Sequence, residues 1–168
     1  MQFLNSTSFQ KCLCEKFEIT KETTIKTSIQ KYLSGYRISP HPDTRTKALA
    51  YMVNINTNNE SENLDIHTNL LVFKEQYKYI YEFWCKNENF DRCWLPWEYC
   101  EVKKTINKNN SIVLFKPDNN TMHSVNLKYD HLKFQRTQIY GNLWYCDQNE
   151  YKEKTHEQIT RWSENFLL

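Results

Sequence analysis

Two glycines and four prolines are all that 168 residues contain, so the usual turn-formers are nearly missing. Tight and left-handed turns must fall on other side chains, and the many asparagines tolerate them best. No stretch approaches the ~18 uninterrupted apolar residues of a membrane-spanning helix. The opening Met1–Ser6 has neither a basic region nor an apolar core of signal-peptide length. These absences predict a soluble, cytoplasmic chain with no membrane partner. An excess of one charge is also lacking: 22 Lys and Arg against 20 Asp and Glu give a net +2. That is too weak a field to attract a polyanion, so nucleic acid is not expected. Among the six cysteines there is no C-x-x-C pair. Cys85, Cys93 and Cys100 are too widely spaced for structural zinc and Cys12-x-Cys14 too tight, and reduced thiols are expected. Without internal repeats, linkers or blocks of like charge, the chain reads as a single domain over 1–168.

Aromatic residues are abundant, at 15%, and the apolar pattern is mostly that of strands. Phe9, Leu13 and Phe17, four apart behind hydroxyl capping candidates, predict a helix over 6–17. From Ile29 to Ile38 the chain reads as extended around Gly35. Leu49, Tyr51, Val53 and Ile55 alternate on one strand face, and short strands are expected near 70–73 and 111–115. Tyr77 to Trp84 has helical spacing. Arg136, Gln138, Tyr140 and Asn142 share one face of a strand over 136–145, and the tail over 150–168 reads as a charged helix with Ile159, Trp162 and Phe166 on one stripe. Many strands without alternating helices predict a mostly β fold, a cupin-like jelly roll or double-stranded β-helix, with α-helices at its two ends.

The most specific chemistry lies in residues far apart in sequence. Pro40 disfavours helix at Ser39 and delivers His41 in an extended segment or loop, where His41 and Asp43, one residue apart, point to the same side. His123 adds a second imidazole and Arg136 a guanidinium. Two imidazoles and one carboxylate are the facial ligand set of a non-haem Fe(II) site with open positions. A planar guanidinium that stays charged when desolvated suits a carboxylate cosubstrate. His67 and His131 are expected as non-ligands. Trp94, Trp97 and Tyr99 read as core aromatics that clamp an insertion, with a substrate lid as the alternative.

Longer segments around these residues carry a resemblance. Gln30 to Asp43, with Tyr32, Gly35, Pro40 and His41, is followed by a strand ending Val53-Asn54-Ile55-Asn56. Then come Asn110-Ser111-Ile112-Val113-Leu114-Phe115, His123-Ser124-Val125 and Arg136. In this order they resemble the core of the Fe(II)- and 2-oxoglutarate-dependent dioxygenases, most closely the prolyl-hydroxylase-like branch, over about residues 29–145. The resemblance implies that His41, Asp43 and His123 ligate iron and act as the catalytic residues, while Arg136 pairs with the distal carboxylate of 2-oxoglutarate. Gln138 stands where a small hydroxyl residue often assists that arginine, and Tyr51 is a further candidate donor to the cosubstrate. The implied reaction consumes O2 and 2-oxoglutarate, releases succinate and CO2, and hydroxylates a small molecule or an amino-acid side chain in a peptide. Where many relatives carry a Gly-Gly-x-Thr-like stretch, this chain has Ile66-His67-Thr68-Asn69-Leu70. The 40 residues before His41 are few for such a scaffold, which makes a homodimer an expectation. Two alternatives stand beside the oxygenase: a catalytically inactive jelly-roll binding protein, and a cupin-type metal enzyme that does not use 2-oxoglutarate.

Overall fold

The computed structural model describes residues 1–87 and 94–147. Cys93 and the helix expected over 150–168 lie outside these residues. Eight strands form the body: β1 (Thr23–Tyr32), β2 (Arg37–His41), β3 (Lys47–Asn54), β4 (Thr68–Phe73), β5 (Cys100–Ile106), β6 (Ile112–Phe115), β7 (Met122–Asn126) and β8 (Arg136–Tyr145). They make two four-stranded sheets, ordered β1-β8-β3-β6 and β2-β7-β4-β5. Every pairing is antiparallel and the pairings are nested: β1 with β8, β2 with β7, β3 with β6, β4 with β5. The chain thus runs as one long hairpin with its tip at β4–β5. The hairpin is folded over so that β8 also pairs with β3 and β7 with β4.

The expected mostly β character holds, and the helix predicted over 6–17 is α1 (Thr7–Lys16). Its N-cap is Ser6, whose hydroxyl accepts the Phe9 N–H at 3.2 Å and so satisfies one of the exposed first-turn donors. The second helix, α2 (Lys78–Lys86), lies in the long β4–β5 connection. Each helix covers the outer face of one sheet. Leu13 of α1 packs with Leu49, Tyr51 and Leu143, while Ile80 and Trp84 of α2 pack with Leu71, Phe73 and Met122. Between the sheets Tyr32 meets Ile66, Val125 and Leu127.

The scarcity of glycine has a direct structural counterpart. Gly35 turns the chain from β1 into β2 at φ +85°, where a side chain would be strained. Gly141 lies opposite Tyr51 in the β3–β8 register, and a Cβ there would run into the Tyr51 ring. As expected of an asparagine, Asn110 takes a left-handed conformation (φ +50°), and Glu18 does so after α1 (φ +53°).

Candidate metal centre and anion pocket

His41 and His123 are separated by about half of the chain, yet they are direct partners across β2 and β7. Their ring centroids are 4.3 Å apart. This pairing requires an irregularity in β2. Ile38 pairs with Val125 and His41 with His123, so three steps along β2 match two along β7. The extra residue falls at Ser39-Pro40, where proline has no N–H to give to a ladder. Without that bulge, simple alternation would turn His41 away from the face that carries Ile38. With it, Ile38, His41, His123 and Val125 all line one cavity of about 240 Å³ between the sheets. The Pro40 carbonyl accepts the Leu95 N–H at 2.8 Å, which fastens the β4–β5 insertion beside the bulge.

Asp43 follows at the start of the β2–β3 turn and is buried. One nitrogen from each of His41 and His123 and one Asp43 oxygen lie within 4.8 Å of one another. Each imidazole is held by a backbone carbonyl. Nδ1 of His41 lies 2.8 Å from the Ser39 carbonyl, and Nδ1 of His123 lies 3.2 Å from the Thr121 carbonyl. A carbonyl only accepts, so each Nδ1 carries a proton, and Nε2 is the ring atom a metal would take. Such an arrangement fits a divalent first-row metal held by two imidazoles and a carboxylate.

Arg136 opens β8 with 0% of its surface exposed. Its Nη2 donates to Thr68 Oγ1 at 2.9 Å, and its guanidinium carbon stands 4.3 Å from the centre of the Tyr32 ring. Nε and Nη1 are buried, with no hydrogen-bond acceptor among the described residues. Among the described residues no carboxylate pairs with it. Burial lowers the Arg136 pKa to about 10, opposed in part by the Tyr32, Tyr36 and Tyr129 hydroxyls, so the group stays charged near neutrality. Its neighbours Thr68 and Tyr32 line the same cavity as His41, Asp43 and His123.

Gln138 is buried and also lines this cavity; its Nε2 donates to Asn54 Oδ1 at 2.7 Å. Tyr51 does not fulfil its expectation. It lies on the outer face of β3, against α1, with its hydroxyl bonded to Thr27. The alternation that put Leu49, Tyr51 and Val53 on one face was right, but that face meets the helix, and Met52 faces the cavity instead. His67 is buried, with Nε2 2.7 Å from the Ser61 carbonyl and its pKa lowered by burial. His131 accepts the Ser34 N–H at 3.3 Å. Neither joins the ligand group. The insertion aromatics divide: Trp94 is 62% exposed with its ring 4.3 Å from that of His41, whereas Tyr99 stacks on Tyr77 at 4.1 Å.

Lys47 and Tyr140 are cavity residues that the sequence does not mark as part of the site. Lys47 donates to Asp43 Oδ1 and to Tyr140 Oη, each at 2.7 Å, and both Lys47 and Tyr140 line the cavity. The alternation along β8 already placed Tyr140 on the face of Arg136. Nothing comparable pointed to Lys47, because a second bulge re-aims it. Lys47 pairs with Trp144 and Leu49 with Leu143, two steps on β3 against one on β8. The five described cysteines Cys12, Cys14, Cys85, Cys100 and Cys146 are free thiols. Among the described residues no helix is long and apolar enough to cross a membrane. No protein-family model matches the chain, and no curated protein matches it.

Proposed function

We propose that this chain is an Fe(II)- and 2-oxoglutarate-dependent oxygenase on a jelly-roll scaffold, hydroxylating a small molecule or an amino-acid side chain. The nested antiparallel pairing, drawn into two four-stranded sheets, supports the jelly roll, an eight-stranded fold of two sheets. The two imidazoles and the carboxylate support the metal. The single observation that carries the cosubstrate is Arg136, a fully buried guanidinium with two nitrogens lacking acceptors among the described residues, beside the cavity of that ligand group. Burying a charge without a partner is costly. For Arg136 the lowering of the pKa to about 10 by burial corresponds to a penalty on the order of 3 kcal/mol. A carboxylate ligand would relieve it through a bidentate pair in a site shielded from water.

In this reading His41 and His123 hold iron through Nε2 and Asp43 through a carboxylate oxygen. When bound, the iron supplies oxygen activation coupled to conversion of 2-oxoglutarate to succinate and CO2. The chain's own part is placement. Thr68 and the Tyr32 ring fix the Arg136 guanidinium, and the Ser39 and Thr121 carbonyls fix the two imidazoles. One observation favours the alternative of a non-catalytic binding protein: the Lys47 ammonium already neutralises Asp43, so the carboxylate does not require a metal for its charge. Aerobic incubation with Fe(II), 2-oxoglutarate and a panel of small molecules and peptides separates the two. Succinate released by the wild type and not by Asp43→Ala is the expected result. Iron and 2-oxoglutarate both bound, with no succinate across the panel, would favour the binding protein.

A further inference from the structure

Regular alternation along β3 would place Lys47 with Leu49 and Tyr51 on the outer face. Two local features bring it inward instead. The bulge at Ala48 shifts the parity of the strand, a known means of re-aiming a side chain beside a site. The Thr44–Lys47 turn, closed by the Lys47 N–H on the Thr44 carbonyl at 2.9 Å, returns the chain over Asp43. The Lys47 side chain is 9% exposed. Its ammonium bridges Asp43 Oδ1 and Tyr140 Oη at 2.7 Å each, and it lies 5.4 and 5.2 Å from the centres of the Tyr140 and Trp144 rings.

This bridge fixes the direction of a proton. An ammonium has donors and no acceptor, so in the Lys47–Tyr140 bond the phenol oxygen accepts. The phenol's own O–H must then point elsewhere, and the Tyr140 side chain lines the cavity. Arg136 and Tyr140 lie on the same face of β8, four residues or roughly 13 Å apart along the strand. Arg136 bonds Thr68 at one end of that span, and Tyr140 is tied through Lys47 to Asp43 at the other. The geometry points to Tyr140 as a ligand-binding residue, a hydroxyl donor to the ligand oxygen at the metal end, with Lys47 as the positioning residue that aims it. This assignment rests on the oxygenase reading for the identity of the ligand, 2-oxoglutarate.

The test uses the full chain loaded with Co(II), a redox-stable reporter, and titrated with 2-oxoglutarate while the visible d–d bands are followed. Tyr140→Phe keeps the ring and the Lys47–Asp43 pair and removes only the hydroxyl. It should leave the Co(II) spectrum unchanged and weaken 2-oxoglutarate roughly tenfold or more, the scale of one hydrogen bond to a charged group. Lys47→Met should weaken 2-oxoglutarate and also alter the Co(II) spectrum, because Asp43 loses its clamp. The double variant should bind 2-oxoglutarate no more weakly than Lys47→Met alone, since the lysine acts through the phenol. Wild-type affinity in Tyr140→Phe, or fully additive losses in the double variant, would overturn the assignment while leaving the oxygenase reading intact. A wild-type protein that takes up Co(II) but does not respond to 2-oxoglutarate would contradict the oxygenase reading and this assignment together.

Discussion

The β8 strand and the β2–β3 corner both deliver side chains to the cavity, but they do so in different ways. Along β8 the alternation is unbroken against β1 for ten residues, and Gln138 and Tyr140 reach the cavity simply because every second residue faces it. In the corner nothing is regular. His41 and Lys47 face inward only because a bulge adjoins each, before His41 and after Lys47, and the corner is held by side-chain and backbone bonds: Leu95 to the Pro40 carbonyl, Lys47 to Asp43, Lys47 to Tyr140. A regular strand places anchors through its period, whereas the corner sets the metal ligands through departures from period. A site assembled from both should fail in two separable ways.

The largest expected effect is in the corner. Asp43→Ala removes the carboxylate ligand and strands the Lys47 ammonium in a buried position. It should abolish iron retention on dialysis and lower unfolding stability by about 3–5 kcal/mol, as breaking one half of a buried pair does. Arg136→Met, at the start of β8, should separate the functions: iron content stays at the wild-type level while 2-oxoglutarate binding by calorimetry falls roughly a hundredfold. Without ligand, this variant should be as stable as the wild type or more so, because an unpartnered buried charge is gone. The sign with pH follows from the lowered pKa. Below about pH 10 Arg136 is charged in both folded and unfolded states, so its penalty is constant and lifts only as pH rises above that value. The stability difference between Arg136→Met and wild type should therefore be flat from about pH 6 to about pH 9.

Smaller perturbations test whether the outer faces are independent of the site. Gly141→Ala would push a methyl into the Tyr51 ring on the α1 side of β8. It should cost about 1–3 kcal/mol in chemical denaturation while iron uptake persists. Ser6→Ala removes the α1 cap and should cost about 1 kcal/mol with no change in either ligand. Loss of iron in the Gly141 or Ser6 variants under conditions where they remain folded would show that the faces are coupled.

The same contrast explains how much was legible in the sequence. Arg136, Gln138, Tyr140 and Asn142 were readable as one face because β8 obeys its period, and α1 was readable from Ser6 and the spacing of Phe9, Leu13 and Phe17. His41, Asp43 and His123 were legible from the chemistry of their side chains, the one-residue spacing of His41 and Asp43, and the order of the segments around them, and the structure brings the three together. Tyr51 was misassigned because alternation tells which residues share a face, not which face meets the cavity. That needs α1, whose position on the sheet is a tertiary fact. Lys47 was missed because a bulge leaves no periodic trace. Strands β5 and β7 were not read as elements: β5 is an edge strand exposed from Glu101 to Thr105, and β7 has a mixed burial pattern over only five residues.

Anaerobic addition of Fe(II) and then 2-oxoglutarate to the full chain, followed by visible absorption, tests the joined action of the two regions most directly. The account predicts a metal-to-ligand charge-transfer band that requires both additions, is absent in Asp43→Ala, and in Arg136→Met appears only at much higher 2-oxoglutarate. A folded, iron-loaded wild-type protein that shows no such band at saturating 2-oxoglutarate would contradict it.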